Sequence, residues 1–341
     1  IFQYLIDHKV KLNFHEVMKY AHNILNGNWK IAIKILDLID SEMKESLSRL
    51  FFISSYNFKN KEAFEILLPQ NINYKNALIM AVNFNDIKLV NLVLEHNSKP
   101  SFINHIYETG TAFNLAVLFN NIEIVKRFLS IPGINPSLSC AIINSICNLN
   151  VEITNLILDF YKNNLESIHD QIIIGLNQLR LKCHQFEGQF SESEEEKLIL
   201  MINKLFSISK SISICCFDFL ITAVRNNSIK LVSDLLKFEE INVNWHEYQS
   251  GDTPLIKAIK EGQIKIVMAL KNKNIQIAQM LINYPKTNIN ASNSLNHTAL
   301  TVAVENNLED IVKSLLNHPN FDPDESNLNY SFLICSDDQK M

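Results

Sequence analysis

One stretch constrains this chain more than any other: Gly251–Val267, which reads GDTPLIKAIKEGQIKIV. Pro254 suits the first turn of a helix, where its missing N–H costs nothing, and Thr253 before it can cap the free N–H groups behind. Leu255, Ala258 and Ile259 then fall three and four apart on one face. Gly262 is expected to end that helix in the left-handed conformation, and a second helix follows from Ile264. A helix pair this short cannot bury its own apolar face, so neighbours of the same kind must cover it.

Those neighbours are found by taking Ala258 as an anchor. Ala81, Ala116, Ala223 and Ala303 stand in the same context, with Ser145 a weaker match. Four positions after the five alanines come Asn85, Asn120, Asn227, Gly262 and Asn307, all of a type that tolerates a positive φ and stops a helix. Eight and nine positions after come Leu89-Val90, Ile124-Val125, Leu231-Val232, Ile266-Val267 and Ile311-Val312, with Ile153-Thr154 in the Ser145 unit. Twelve and thirteen after come Val93-Leu94, Phe128-Leu129, Ile157-Leu158, Leu235-Leu236 and Leu315-Leu316, which completes the apolar face of a second helix. Nineteen after stand Asn135, Asn242 and Asp322, each suited to a turn.

These units resemble the ankyrin repeat. The family pattern Thr-Pro-Leu-His-x-Ala is matched by Thr253-Pro254-Leu255-Ile256-Lys257-Ala258, by Thr111-Ala112-Phe113-Asn114-Leu115-Ala116 and by Thr298-Ala299-Leu300-Thr301-Val302-Ala303. The family histidine is missing from all three. In the family it ties neighbouring loops together, so its absence predicts looser hydrogen bonding between repeats. The resemblance implies an all-α solenoid of about eight or nine stacked helix-turn-helix units, with no catalytic residues, no cofactor and other proteins as partners.

Along residues 1–341 the expected array has atypical repeats at 1–75, regular ones at 76–160, a divergent stretch at 161–215 and regular ones at 216–341. Within 1–75, Val17–Asn26 with Trp29–Ile39 and Leu47–Tyr56 with Lys61–Leu68 read as two helix pairs. The divergent stretch reads as a helix over Ile168–Cys183, an acidic loop insertion at 184–196 and a helix over Lys197–Ile208. A second irregularity lies at 257–278, where KAIKEGQIKIV is echoed by MALKNKNIQIA and lengthens one repeat by eleven residues. Eleven residues are close to three helical turns, so the apolar face survives the insertion. Two outcomes are open: one second helix of about 20 residues from near Gln263 to near Asn283, or three short helices with a turn at Asn272–Asn274.

Composition narrows the chemistry. The 341 residues are 47% hydrophobic and 20% charged with a net charge of −5, which supplies a core and no broad basic surface for nucleic acid. No apolar run reaches the roughly 18 residues of a membrane span. Six cysteines without a Cys-x-x-Cys pair favour reduced thiols in an intracellular, cytoplasmic chain. His8, His15 and His22 recur every seven residues without carboxylate or cysteine partners, so they make no zinc helix. His169-Asp170 lacks a nucleophile at fixed spacing, and seven scattered glycines build no phosphate loop, so the chain is not expected to be an enzyme.

The expected partner-binding residues sit on two fingers. Asn244-Trp245-His246-Glu247-Tyr248 precedes Gly251 as Asn104-His105-Ile106-Tyr107 precedes Gly110. Trp245, His246, Tyr248, His105 and Tyr107 are the candidates, because interface hot spots favour such aromatics. The alternative is that this array is the recognition segment of a longer protein whose other part is an enzyme or a channel.

Overall fold

The computed structural model describes residues 41–57, 59–71, 76–108, 110–185, 191–208, 218–264 and 268–323, with Lys30 and Lys34. Apart from Lys30 and Lys34, the helix pair expected at Val17–Asn26 and Trp29–Ile39 lies outside these, as do His8, His15 and His22. The chain divides into two compact units, residues 1–144 with 152–163 and residues 145–151 with 164–341.

The first unit is built of helix pairs. Helices α1 (Ser41–Asn57) and α2 (Lys61–Asn71) pack on each other, and Phe52 stacks on Phe64 with ring centres 4.4 Å apart. Next come α3 (Ala77–Asn83) with α4 (Ile87–His96), a single turn α5 (Pro100–Ile103), a two-residue hairpin β1 (Ile106–Tyr107) and β2 (Gly110–Thr111), then α6 (Ala112–Leu118) with α7 (Ile122–Leu129). Helix α3 lies on α6 and α4 on α7, so first helices stack on first helices and second on second. Helices α8 (Ala141–Cys147) and α9 (Val151–Phe160) follow.

The second unit repeats the arrangement over a longer run. Its helices are α10 (His169–Gln185), α11 (Glu192–Ile208), α12 (Asp218–Arg225), α13 (Ile229–Leu235), α14 (Pro254–Ile264), α15 (Met268–Ile282), α16 (Ala299–Glu305) and α17 (Glu309–Leu316). Helices α10, α12, α14 and α16 form one row, each touching the next, and α11, α13, α15 and α17 form the other. The divergent stretch is therefore one more pair in the same two rows.

The anchors behave as the spacing requires. Ala81, Ala116, Ala223, Ala258 and Ala303 are all fully buried, where first helices press together and only a methyl group fits. Asn85, Asn120, Asn227 and Asn307 sit at φ between +53° and +55°, the left-handed helix stop. Thr111, Thr253 and Thr298 cap the first helices by accepting from the N–H three residues on. Asn121 and Ser228 do the same for second helices, and Asp86 caps its second helix from the N–H two residues on.

In the Ser145 unit the helix stop falls on Leu149, at φ +51°. A leucine there carries the Cβ penalty of the left-handed region, which asparagine tolerates better. Leu149→Asn is expected to stabilise the fold by about 1 kcal/mol in urea denaturation, the relief of strain exceeding the loss of a half-buried side chain.

Three expectations are corrected. Gly262 does not end its helix, because α14 runs through it to Ile264. The eleven extra residues do not make one long second helix either: α14 has 11 residues where α16 has 7, and α15 has 15 where α17 has 8. The insertion is shared between both helices of the pair, one extra turn in the first and about two in the second. Helix α15 also passes without a turn through Asn272–Asn274, which removes the three-helix alternative. Within the acidic loop insertion expected at 184–196, the described residues are helical but for Ser191: His184 and Gln185 end α10 and Glu192–Glu196 open α11. Ser191 and Glu194 form a capping box there: Ser191 Oγ accepts from Glu194 N at 3.3 Å while Glu194 accepts from Ser191 N at 3.0 Å and Oγ at 2.6 Å.

Hydrogen bonds between repeats are made by asparagines. Asn114, in the histidine position, accepts from Asn144 Nδ2 at 2.9 Å. A second device recurs three times. Asn104 Nδ2 donates to Gly133 O at 2.8 Å while its Oδ1 accepts from Asn135 N at 2.9 Å. Asn244 bridges Lys286 O and Asn288 N at 2.8 and 2.7 Å in the same way, and Asn290 bridges Asn320 O and Asp322 N at 2.9 and 3.2 Å. Each amide latches the loop of the next repeat. Asn244→Ala is expected to cost about 1–2 kcal/mol, because it leaves two backbone groups without their partner, and urea denaturation would show it.

Candidate protein-docking finger

The finger before α14 is a tight loop fixed by its own polar groups. Glu247 N donates to Asp252 O at 2.9 Å and Gly251 N to Glu247 O at 2.7 Å. Gly251 has φ +67°, and a Cβ there would meet Ser294 Oγ at 2.2 Å, so glycine alone lets the next loop approach. Below the loop, the carboxylate of Asp252, 2% exposed, accepts from Lys260 Nζ at 2.7 and 3.0 Å and from Asn293 Nδ2 at 2.8 Å. This buried base sets the direction of the finger.

On that base the aromatic side chains point out. Tyr248 is fully exposed at the tip and Trp245 is 37% exposed. His246 is exposed, with Nδ1 2.8 Å from Gly251 O. Trp245 and Tyr248, together with Arg180, Leu181, Ile221 and Arg225, line a cleft of about 500 Å³ between the finger and helices α10 and α12. Arg225 donates to Glu247, which also accepts from Ser250 Oγ at 2.6 Å and lies 3.6 Å from Lys257 Nζ. Burial, and then the charge of Arg225, hold the Lys257 amine below the usual lysine range.

The other two candidates belong to the first unit. His105 and Tyr107 meet edge to face with ring centres 4.7 Å apart, beside the hairpin that pairs Tyr107 with Gly110. Tyr107 is half-buried, and burial pushes its hydroxyl up to about 12. The structure thus gathers Trp245, His246 and Tyr248 on one finger and His105 with Tyr107 on another. Sequence reasoning missed Arg180, Leu181 and Arg225. Arg225 had a usable signal, standing two positions after the Ala223 anchor in the last turn of a first helix; Arg180 and Leu181 lie in the divergent stretch, where no register points to them.

Among the described residues no group of three or more His, Cys, Asp or Glu side chains is arranged to hold a metal ion. Cys147 and Cys183 are buried and form no disulfide, and burial pushes the Cys183 thiol up to about 11. No described helix is long and apolar enough to cross a membrane.

The family model for ankyrin repeats matches residues 220–327 in three copies, the span that holds the pairs α12–α13, α14–α15 and α16–α17. Residues 220–327 are ankyrin repeats. The finger carrying Tyr248 lies inside the matched ankyrin repeats, between the first and second pairs. The chain is also similar to a Dictyostelium discoideum protein described as NAD-dependent deacetylase sir2B, with 24% identity over 252 residues. The aligned part is 65% of this chain and 29% of that protein, so the chain spans under a third of that relative's length.

Proposed function

We propose that this chain is a non-catalytic scaffold that binds other proteins, with its helix pairs continuing as a solenoid of about eight or nine repeats. Ankyrin repeats are generally protein-interaction modules, and the single observation that carries the reading here is Tyr248. A tyrosine with its whole side chain in solvent, on a loop whose base is buried and hydrogen-bonded, adds nothing to the core and offers a preorganised contact. Trp245 beside it supplies apolar area next to a cleft.

Tyr248→Ala is expected to leave the urea midpoint unchanged while weakening a partner by about 2 kcal/mol, or roughly thirtyfold. The partner would be captured with a photo-crosslinking amino acid at position 248 in cells, followed by titration of the wild-type and alanine chains. An alanine variant that loses stability but keeps full affinity would remove the finger from the interface.

A second reading has its own support. The relative named a deacetylase is far longer than the aligned part, which favours this chain's being the recognition segment of a larger protein whose other part is an enzyme. Sequencing the complete transcript tests it: an open reading frame that adds a deacetylase domain upholds this reading, and one that ends at the repeats rejects it.

A further inference from the structure

We propose that the lengthened repeat holds a second register, in which α15 begins at Ile275 instead of Met268, Asn274 caps it, and Asn274 Nδ2 donates to Asn227 Oδ1. The repeat is then a two-position device, long in one register and of ordinary length in the other.

Two asparagines point to it. Among the described residues, Asn227 and Asn274 are the ones whose side-chain amides have both polar atoms buried and without a hydrogen-bond partner. They are 3% and 0% exposed. A buried amide left unpaired costs stability, so the long register carries that cost at both positions. Their places in the repeat show what each lacks. Asn227 stands four positions after Ala223 and holds the left-handed stop at φ +53°. Asn274 stands five positions after Ala269, the echo of Ala258 in the duplication. Other repeats place the cap of the second helix there: Asp86, Asn121 and Ser228 each accept from an N–H in the turn that follows. Inside α15 the nearby N–H groups already belong to the helix, and Asn274 has nothing to cap.

The first unit contains the bond that these two lack. Asn121, five positions after Ala116, accepts from Ile124 N at 3.0 Å and donates through Nδ2 to Oδ1 of Asn85, four positions after Ala81, at 2.8 Å. Asn274 and Asn227 occupy the same pair of positions in successive repeats of the second unit. With α15 unwound as far as Asn274, its Oδ1 accepts from Ile277 N and its Nδ2 donates to Asn227, which satisfies both polar atoms of Asn274 and the Oδ1 of Asn227. The core is indifferent to the change. Ile277, Ala278, Leu281 and Ile282, none more than 2% exposed, follow Asn274 and stay in α15 in both registers. What is given up is the helix from Met268 to Lys273, so helical hydrogen bonds are traded against a cap and paired amides.

The test is amide hydrogen exchange of the full chain under native conditions, read by mass spectrometry on peptides covering 268–273 and 277–282. The first peptide is expected to exchange well ahead of the second, because only it leaves the helix in the second register. Exchange over 268–273 should slow about tenfold in Asn274→Ala, which removes the cap and both unpaired atoms. It should slow about threefold or more in Asn227→Gly, which keeps the left-handed stop and removes the acceptor. General destabilisation speeds exchange, so the sign separates a change of register from a folding defect. A chain lacking residues 263–273 has Asn274 five, Ile277-Ala278 eight and nine, and Leu281-Ile282 twelve and thirteen positions after Ala258, the spacing of a regular repeat. It is expected to fold with a urea midpoint at or above that of the full chain, and there Asn274→Ala and Asn227→Gly should each lower the midpoint. Equal protection of the two peptides, exchange over 268–273 that is unchanged or faster in either variant, or a deletion chain less stable than the full one would overturn the second register.

Discussion

Alanine at position 252 is expected to destabilise the 220–327 repeats by about 3–5 kcal/mol, the cost of breaking a buried ion pair by removing one partner. Asp252 is 2% exposed, and its two oxygens hold Lys260 Nζ and Asn293 Nδ2. With the carboxylate gone, Asn293 keeps an amide in the interior with no acceptor, and Lys260 must turn its ammonium out to water. The loss would appear as a lower urea midpoint. A shift below about 1 kcal/mol would show that water reaches the carboxylate and that the site is not a buried pair.

Phe113→Ala carries the second large effect, also about 3–5 kcal/mol, from the cavity left by a core phenylalanine. Phe113 is 1% exposed and meets Phe128 edge to face with ring centres 6.0 Å apart, which ties α6 to α7 within one repeat. In stacked repeats each unit leans on its neighbours, so the damage should spread along the rows. Amide hydrogen exchange is the suitable measurement: protection in α3, α4, α6 and α7 is expected to fall together. A loss confined to α6 would mean that the pairs in this unit fold independently of one another.

The legible parts of the fold were those written as short, repeated local rules. An alanine, an asparagine four positions on and apolar pairs at eight, nine, twelve and thirteen located both helices of each regular repeat, because each rule follows from one turn of helix or one backbone angle. The asparagine stops show this best. Asn85, Asn120, Asn227 and Asn307 all take the left-handed conformation that their position called for. Gly262 did not, although glycine is even freer to do so. Its freedom permits a stop without compelling one, and in a repeat lengthened by eleven residues the helix continues instead.

The candidate site was legible by half. Tyr248, Trp245 and His246 were found because aromatic side chains ahead of a turn glycine are visible in the sequence. The arginines were not, since nothing in the local order of residues says that Arg180 and Arg225 reach the same cleft from helices 45 positions apart, residue 180 to residue 225. The asparagine latches were hidden for the same reason. Asn244 is an ordinary turn residue until the loop at 286–288 is laid against it.

The sequence by itself determined the repeat: where each helix starts, which face is apolar, and where a left-handed residue must stop it. These depend on interactions spanning a turn or two of chain, and such interactions are encoded by spacing. Only the tertiary structure decided how an insertion is shared between two helices, which polar side chains replace a missing histidine, and which charges meet beside the finger. Those outcomes depend on the stacking of one repeat against the next, where partners distant in sequence compete for the same buried hydrogen bonds, and spacing carries no record of who wins.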